Sequence, residues 1–116
     1  MRPMMRILVV SFLLAGVASA AQIDGVLMDK MCSASAVKEG QSFATKHDTK
    51  CALETACMRS GYGVFTADGK FLSFDTAGNT QAATALKATK KIDNLKVTVM
   101  GDVDGSTIKV ANLKLQ

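Results

Sequence analysis

The segment YGVFTADGKFLSFD at residues 62–75 decides the expected fold, because it holds the clearest pair of strands in the chain. Asp68 and Gly69 separate two short runs that are rich in apolar residues. Asp-Gly between two such runs is the strongest short-range sequence signal for a β-hairpin. The segment therefore predicts two adjacent antiparallel strands joined by a tight turn.

A helix is predicted after this hairpin. Asn79 or Thr80 is suited to cap its first turn, and the helical pattern continues to about Lys90. The side chains expected to face inward are small and apolar, namely Ala82, Ala83, Leu86 and, beside them, Ala85.

Three further strands are predicted on either side of this unit. Residues 22–30 have the composition of a first strand, and the alternation of apolar and polar residues at 95–100 predicts a fourth. A fifth strand is predicted from residue 108 onward. Its alternation slips by one position at Ala111 and Asn112, which indicates a β-bulge.

The predicted order is strand, cysteine-bearing insert, strand, strand, helix, strand, strand. Five short strands with a helix between the third and fourth have the connectivity of an OB-fold, a small and partly open Greek-key barrel. We therefore predict a mainly β domain with two helices (α+β), built as a five-stranded OB-fold-like barrel with a Cys/His helix inserted between strands 1 and 2. Sandwiches and SH3-like barrels are alternatives for a turn-rich sequence of this size, and the position of the helix favours the OB-fold.

Residues 1–20 have the features of a signal peptide. Arg2 and Arg6 precede the apolar run ILVVSFLLAGV at residues 7–17, and ASA at 18–20 resembles a cleavage site. The apolar run is shorter than the roughly 20 residues that a spanning helix needs. We therefore predict a single domain at residues 21–116 that is periplasmic or secreted, without a stable membrane anchor after cleavage.

The charge of the chain points to no polyanionic partner. The sequence has 14 basic and 10 acidic residues, and removal of the two arginines at its start leaves 12 against 10. A net charge of +2 gives no reason to expect binding to nucleic acid or to an anionic membrane. The sequence leaves a protein or small-ligand partner unspecified.

The segment at residues 29–61 holds all three cysteines and the only histidine, which are Cys32, His47, Cys51 and Cys57. Residues 33–46 show no firm period and predict a loop with at most a short helical turn. Asp48 is expected to cap one helix at residues 49–60. Within one unbroken helix the last two cysteines would lie roughly 9 Å apart along the axis.

A structural disulfide is the first interpretation of these cysteines, because exported proteins fold in oxidising compartments. Cys51 and Cys57 in one helix exceed the Cα separation of about 7 Å that a disulfide tolerates. The predicted disulfide therefore joins Cys32 with Cys57 or Cys51, and the third cysteine stays unpaired.

A metal site is the second interpretation. Cys32, His47, Cys51 and Cys57 supply the four donors of a Cys₃His zinc site. Met28 and Met31 lie beside the first cysteine, so a copper(I) site of thiolate, thioether and imidazole donors is a further option. In either case the leading function is a non-enzymatic domain with a Cys/His centre, and no residue is predicted to be catalytic.

A redox function is the alternative. Cys51 lies in the first turn of the predicted helix at residues 49–60, and His47 precedes that helix. A helix start and a nearby imidazole favour the thiolate, which is the reactive form of cysteine. The sequence therefore also predicts a thiol protein in which Cys51 reacts beside His47.

The order of these motifs resembles a group of small exported bacterial proteins. The resemblance rests on D-x-x-C at residues 29–32, H-x₃-C at 47–51, Cys57 followed by GYGVF at 61–65, and VTVMG at 97–101. It covers nearly all of the chain after residue 20, and it implies an OB-like barrel and an exported location. It implies no activity, since the group has none assigned. Some members space the last two cysteines more closely than the C-x₅-C of this chain.

Overall fold

The computed structural model describes residues 20–116, so the predicted signal peptide lies outside the described residues apart from Ala20. The described residues form a small α+β domain with one five-stranded sheet and five helices. None of the helices in this part of the chain has the length and apolar character needed to cross a bilayer. The elements are β1 (Ala21–Asp29), α1 (Lys30–Glu39), α2 (Gln41–Lys46), α3 (Thr49–Ala52), α4 (Thr55–Ser60), β2 (Tyr62–Thr66), β3 (Phe71–Phe74), α5 (Thr76–Ala88), β4 (Lys96–Asp104) and β5 (Thr107–Leu115).

Each strand of the sheet has two hydrogen-bonded neighbours, in the order β1-β2-β3-β5-β4 with β4 paired back to β1. All pairs are antiparallel except β3 and β5, which run parallel over Ser73–Phe74. The hairpin predicted at Asp68-Gly69 is confirmed by the antiparallel pairing of β2 and β3. The predicted bulge is confirmed as well, because the register between β4 and β5 passes over Ala111 at Met100/Gly101.

Two groups of buried side chains lie on opposite sides of β1 and β2. Leu27 and Val64 belong to the larger group, which is completed by side chains of β4, β5 and α5. Val26, Met28 and Phe65 point the other way and pack against α1 and α2. This alternation of facing directions is the period of two that strands impose on their side chains. The smaller group therefore holds the cysteine-bearing insert against the sheet.

The helix predicted from Asn79 or Thr80 begins earlier, at Thr76. Asp75 is its N-cap, and one oxygen of its carboxylate accepts a hydrogen bond of 3.0 Å from Gly78 N. Ala82 and Leu86 are buried against the core as predicted.

The prediction of a loop at residues 33–46 is wrong, because the insert begins with two helices. Asp29 caps α1, and Gly40 separates α1 from α2 with a φ of 86°. Ala36 and Ala44 are fully buried in the smaller group of core residues. These two helices are stabilised by contact with the sheet rather than by an amphipathic sequence, and residues 33–46 therefore show no clear helical period.

The sequence predicts two helices, whereas the described residues form five. The prediction of a single helix at residues 49–60 is also wrong. The segment forms α3 and α4, which are separated by Leu53 (φ −96°, ψ 0°) and by Glu54 in an extended conformation (φ −62°, ψ 143°). Because of the break at residues 53–54, Cys51 and Cys57 lie in different helices, and the predicted separation along one helix axis does not apply to them.

Candidate metal centre

The three cysteines occupy the same position in three different helices. Each is the third residue of its helix, and an acidic residue stands at the N-cap three positions before it. The pairs are Asp29 with Cys32 in α1, Asp48 with Cys51 in α3, and Glu54 with Cys57 in α4. The sequence therefore contains an acidic-x-x-Cys pattern three times, once at each helix start.

Two of the three N-caps fix a cysteine backbone directly. Cys32 N donates a hydrogen bond of 2.9 Å to Asp29 Oδ2, and Cys51 N donates one of 2.6 Å to Asp48 Oδ1. Both are the ordinary bonds of an aspartate N-cap, as predicted for Asp48. Glu54 makes no such bond to α4.

Other hydrogen bonds join the helices to one another and to the sheet. Ser60 Oγ accepts from Met31 N at 3.1 Å and donates to Cys57 O at 2.6 Å, which links α1 to α4. The hydroxyl of Tyr62 donates to Ala52 O at 2.7 Å, which links α3 to β2. The three helix starts are thereby held at one end of the sheet.

The cysteine sulfurs converge at this point. The Sγ atoms of Cys32, Cys51 and Cys57 all lie within 4.8 Å of one another. All three residues are free thiols, and no pair is at disulfide distance. The predicted disulfide between Cys32 and Cys57 or Cys51 therefore stays a prediction. Cys57 is only 3% exposed, whereas Cys32 and Cys51 are half-buried.

A buried acid and a buried imidazole lie beside the thiols. His47 Nε2 is 2.8 Å from Asp29 Oδ1, and the two side chains are 2% and 0% exposed. The contact is close but poorly aligned, so both ring nitrogens of His47 and Asp29 Oδ1 lack a well-formed hydrogen bond. Buried polar atoms in that condition are uncommon in proteins, and a bound water or a bound ion would satisfy them.

The structure places the four predicted ligands in two overlapping groups. The first is the set of three cysteines, and the second is Asp29, Cys32 and His47, whose donor atoms also lie within 4.8 Å of one another. His47 and Cys32 therefore belong to one group. The contact between His47 and Cys51 on which the redox interpretation of the sequence depends stays a prediction.

Electrostatics in this region disfavour additional negative charge. Burial and then the charge of Asp29 raise the pKa of Cys57 to about 11 and that of Tyr62 to about 12. The same two causes raise the pKa of Cys32. Burial alone would raise the pKa of Asp29 as well, but its contacts with His47 and with the Cys32 backbone lower it. Asp29 is thus a buried anion near Cys32 and Cys57, whose thiols resist ionisation.

A cavity of about 260 Å³ opens beside the thiols. The residues that line it are Cys32, Phe43, Lys46, His47, Asp48 and Cys51. Cys57 is absent from this lining and lies deeper. Of the two methionines considered as copper ligands, Met28 is fully buried in the smaller core group and Met31 is 55% exposed.

Asp29 is a member of the candidate site that was not predicted from the sequence. Its cap to Cys32 is local, but its contact with His47 depends on a tertiary arrangement 18 residues away in the chain. The signal that could have found it is the threefold acidic-x-x-Cys pattern, in which Asp29 and Cys32 form the first instance.

Comparison with known protein families, with characterised proteins and with solved structures found no significant match to this chain. The resemblance to small exported bacterial proteins accordingly stays a prediction. The cluster itself has thiol, imidazole and carboxylate donors in mutual reach and could bind a metal ion.

Proposed function

We propose that the chain is a small exported metal-binding domain, in which Cys32, Cys51 and Cys57 hold one zinc ion and His47 supplies the fourth donor. The observation that carries this proposal is the convergence of three thiol sulfurs within 4.8 Å. The sulfurs come from three separate helices, so no single local motif accounts for their meeting.

The spacing of the thiols fits a tetrahedral ion. With Zn–S bonds of about 2.3 Å, sulfurs around one zinc ion lie about 3.8 Å apart. Since the sulfurs already lie within 4.8 Å of one another, they need to approach by no more than roughly 1 Å. Rotation of three side chains supplies that movement without rearranging the helices.

His47 is the best candidate for the fourth donor. It is buried, it has no well-formed hydrogen bond at either ring nitrogen, and it lies in the same group as Cys32. A carboxylate that contacts the second nitrogen of a metal-bound histidine is a common arrangement, because it orients the ring and makes it a better donor. Asp29 occupies that place beside Nε2.

Charge favours a divalent ion over copper(I). Three thiolates with Zn²⁺ leave one net negative charge, whereas three thiolates with Cu⁺ leave two. Buried net charge is costly unless it is compensated, and the nearby Asp29 carboxylate adds to it. Zinc binding is therefore the function we expect, and copper(I) binding is the outcome that would replace it.

The strand order and the parallel pairing of β3 with β5 support an OB-like Greek-key barrel as the framework of this site. The signal-like residues 1–20 support an exported location. Under this proposal, the domain displays a metal centre at one end of the barrel for a protein or small-ligand partner.

The test is a titration of the reduced, metal-free chain with Zn²⁺ alone, followed by native mass spectrometry and competition with a chromophoric chelator. One zinc ion per chain is expected. Cys57→Ser should weaken binding by at least about 100-fold and His47→Ala by about 10- to 100-fold, because both remove a donor. Ser33→Ala is the matched control, since Ser33 is a buried neighbour of Cys32 that donates to Lys30 O and offers no thiol.

Retention of zinc affinity in Cys57→Ser would overturn the proposed three-thiolate site. Binding of Cu⁺ without binding of Zn²⁺ would overturn the choice of zinc. Thiol titration of each variant in denaturant confirms that the remaining cysteines were reduced when zinc was added.

A further inference from the structure

We propose that the same centre exchanges with small-molecule disulfides that carry carboxylates, with Cys51 as the attacking thiol, Cys32 as the thiol that closes the internal disulfide, and Cys57 retained as a thiol. The exchange gives the proposed zinc site a redox control, and only that coupling rests on the proposed function. Two features of the cavity support this exchange, namely which sulfurs it exposes and which charged side chains surround them.

The three thiols differ in whether they are accessible from the cavity. Cys32 and Cys51 are half-buried and both line the cavity of about 260 Å³. Cys57 is 3% exposed and does not line it. A disulfide that enters the cavity therefore meets the first two sulfurs, and these lie within 4.8 Å of each other.

The surroundings of the two accessible thiols differ in charge. Cys32 lies in one group with the Asp29 carboxylate and His47, within 4.8 Å. Cys51 lies in the four-residue helix α3, and its N-cap Asp48 lines the cavity together with Lys46. Asp29 is fully buried whereas Asp48 is half-buried, so Asp29 acts more strongly on the thiol beside it. The Asp29 carboxylate repels both an anionic disulfide and a thiolate at Cys32, and Cys51 therefore attacks first.

The cavity also fits the chemical class of the co-reactant. Lys46 offers an ammonium group to a carboxylate, and Phe43 offers an apolar wall. A disulfide made from cysteine-containing peptides, such as oxidised glutathione, carries both carboxylates and short apolar segments. The cavity is lined to receive one half of such a molecule.

The exchange proceeds in two balanced steps. The Cys51 thiolate attacks one sulfur of the small disulfide, which forms a mixed disulfide and releases one small thiolate. The Cys32 thiolate then attacks Cys51 Sγ, which closes the internal disulfide and releases the second small thiolate. Two protein thiols are oxidised, one small disulfide is reduced to two thiols, and the two protons of the protein thiols end on the released thiolates.

The experiment uses the reduced, metal-free chain with oxidised glutathione and follows intact mass over time. The unmodified chain should lose two hydrogens. Cys32→Ser should accumulate one glutathione on Cys51, as located by peptide mapping, because the second step is blocked. Cys51→Ser should form neither product at a comparable rate.

Two further variants test the role of the cavity. Lys46→Gln should slow oxidation by glutathione disulfide about 3- to 10-fold and leave oxidation by neutral 2-hydroxyethyl disulfide unchanged, because only the first reagent is anionic. Lys50→Gln is the matched control, since Lys50 is an exposed lysine of α3 that does not line the cavity. Equal slowing by both variants, or slowing with both reagents, would overturn the assignment of Lys46.

Cys57→Ser separates this inference from the zinc proposal. It should still close the Cys32–Cys51 disulfide within about threefold of the normal rate while losing zinc affinity. Failure of that variant to oxidise, or oxidation of Cys51→Ser at the normal rate, overturns the exchange alone. Zinc at saturating concentration should protect the unmodified chain from oxidation, and unchanged oxidation with zinc bound would overturn the redox control.

Discussion

Replacement of Asp29 provides the most direct test of the architecture around the thiols, because its two carboxylate oxygens do different things. Oδ2 accepts from Cys32 N at 2.9 Å and caps α1, while Oδ1 lies 2.8 Å from His47 Nε2. Asp29→Ala removes both contacts, whereas Asp29→Asn keeps an acceptor for the cap and removes the charge.

The expected cost follows from these contacts. Loss of an N-cap destabilises by about 1 kcal/mol, and loss of the carboxylate that faces the buried imidazole at 2.8 Å costs about 1–3 kcal/mol. Asp29→Ala should therefore lower the free energy of unfolding by about 2–4 kcal/mol, and Asp29→Asn by about 1 kcal/mol less. For a domain of this size each 1 kcal/mol corresponds to about 4–8 °C in Tm.

Urea unfolding of the reduced, metal-free chain, followed by circular dichroism, measures these differences. Asp24→Ala is the matched control in the same strand, because Asp24 is exposed and its carboxylate accepts hydrogen bonds from the exposed side chain of Gln22 and from Thr98. It should change stability by less than about 0.5 kcal/mol. If Asp29→Ala were as mild as Asp24→Ala, the reasoning about the buried pair would be refuted.

The pH dependence of this pair has a definite sign. The pKa of Asp29 is lowered from 3.8 in the folded chain. Its ionised form therefore contributes stability above that ordinary value, and the contribution is lost as the pH falls through the lower folded value. The stability difference between the unmodified chain and Asp29→Asn should shrink below pH 3.8, and a difference that grows there would contradict the assignment.

Three further outcomes are expected. Tyr62→Phe removes the hydroxyl that donates to Ala52 O of α3. It should lower the free energy of unfolding in urea by about 1 kcal/mol and weaken zinc binding, because α3 carries Cys51. An unchanged free energy of unfolding together with an unchanged zinc affinity would contradict this. Leu86 is 1% exposed in the larger core group, so Leu86→Ala opens a cavity there. This variant should lower the free energy of unfolding by about 2–5 kcal/mol in the same assay and leave the zinc stoichiometry unchanged. A loss of less than about 1 kcal/mol would contradict the packing. Zinc affinity should fall by at least about tenfold per pH unit on acidification, because binding displaces thiol protons; calorimetry in buffers of different ionisation enthalpy counts those protons, and a count of zero would exclude thiolate ligands.

The parts of the fold that could be predicted from the sequence depend on local chemistry. The hairpin follows from Asp68-Gly69, and Gly69 adopts the positive φ of 82° that such a turn requires. The bulge follows from the slip in alternation at Ala111. In both cases the deciding residues are neighbours in the chain, so the pattern was visible without knowledge of the tertiary structure.

The insert could not be predicted in the same way, because its helices depend on distant contacts. Ala36 and Ala44 are helical and buried because Met28 and Phe65 of the sheet pack against them. Neither glycine nor proline marks the break at Leu53 and Glu54, so no local sequence signal divides the segment into two helices. That break is what allows Cys57 to turn back toward Cys51.

The candidate site was predictable as a set of residues but not as a geometry. The chemistry of three cysteines and one histidine in 26 residues, from Cys32 to Cys57, pointed to this segment. Their grouping depends on Asp29, whose role combines a local cap with a tertiary contact to His47. A sequence pattern can indicate the local cap, but it contains no information about the tertiary contact with His47.

The repeated position of the cysteines explains how such a small domain brings three thiols together. At the third residue of a helix, the cysteine backbone N–H is unpaired within the helix and is available to the cap. Aspartate side chains fix that backbone in two of the three helices, and burial fixes Cys57 in the third, where Glu54 makes no cap bond. Under the proposed function, this positioning by the chain itself lowers the ordering cost of metal binding. Cys57 is buried, whereas Cys32 and Cys51 line the cavity. The two proposals therefore assign the buried thiol to the metal alone and the two thiols at the cavity to both metal binding and exchange.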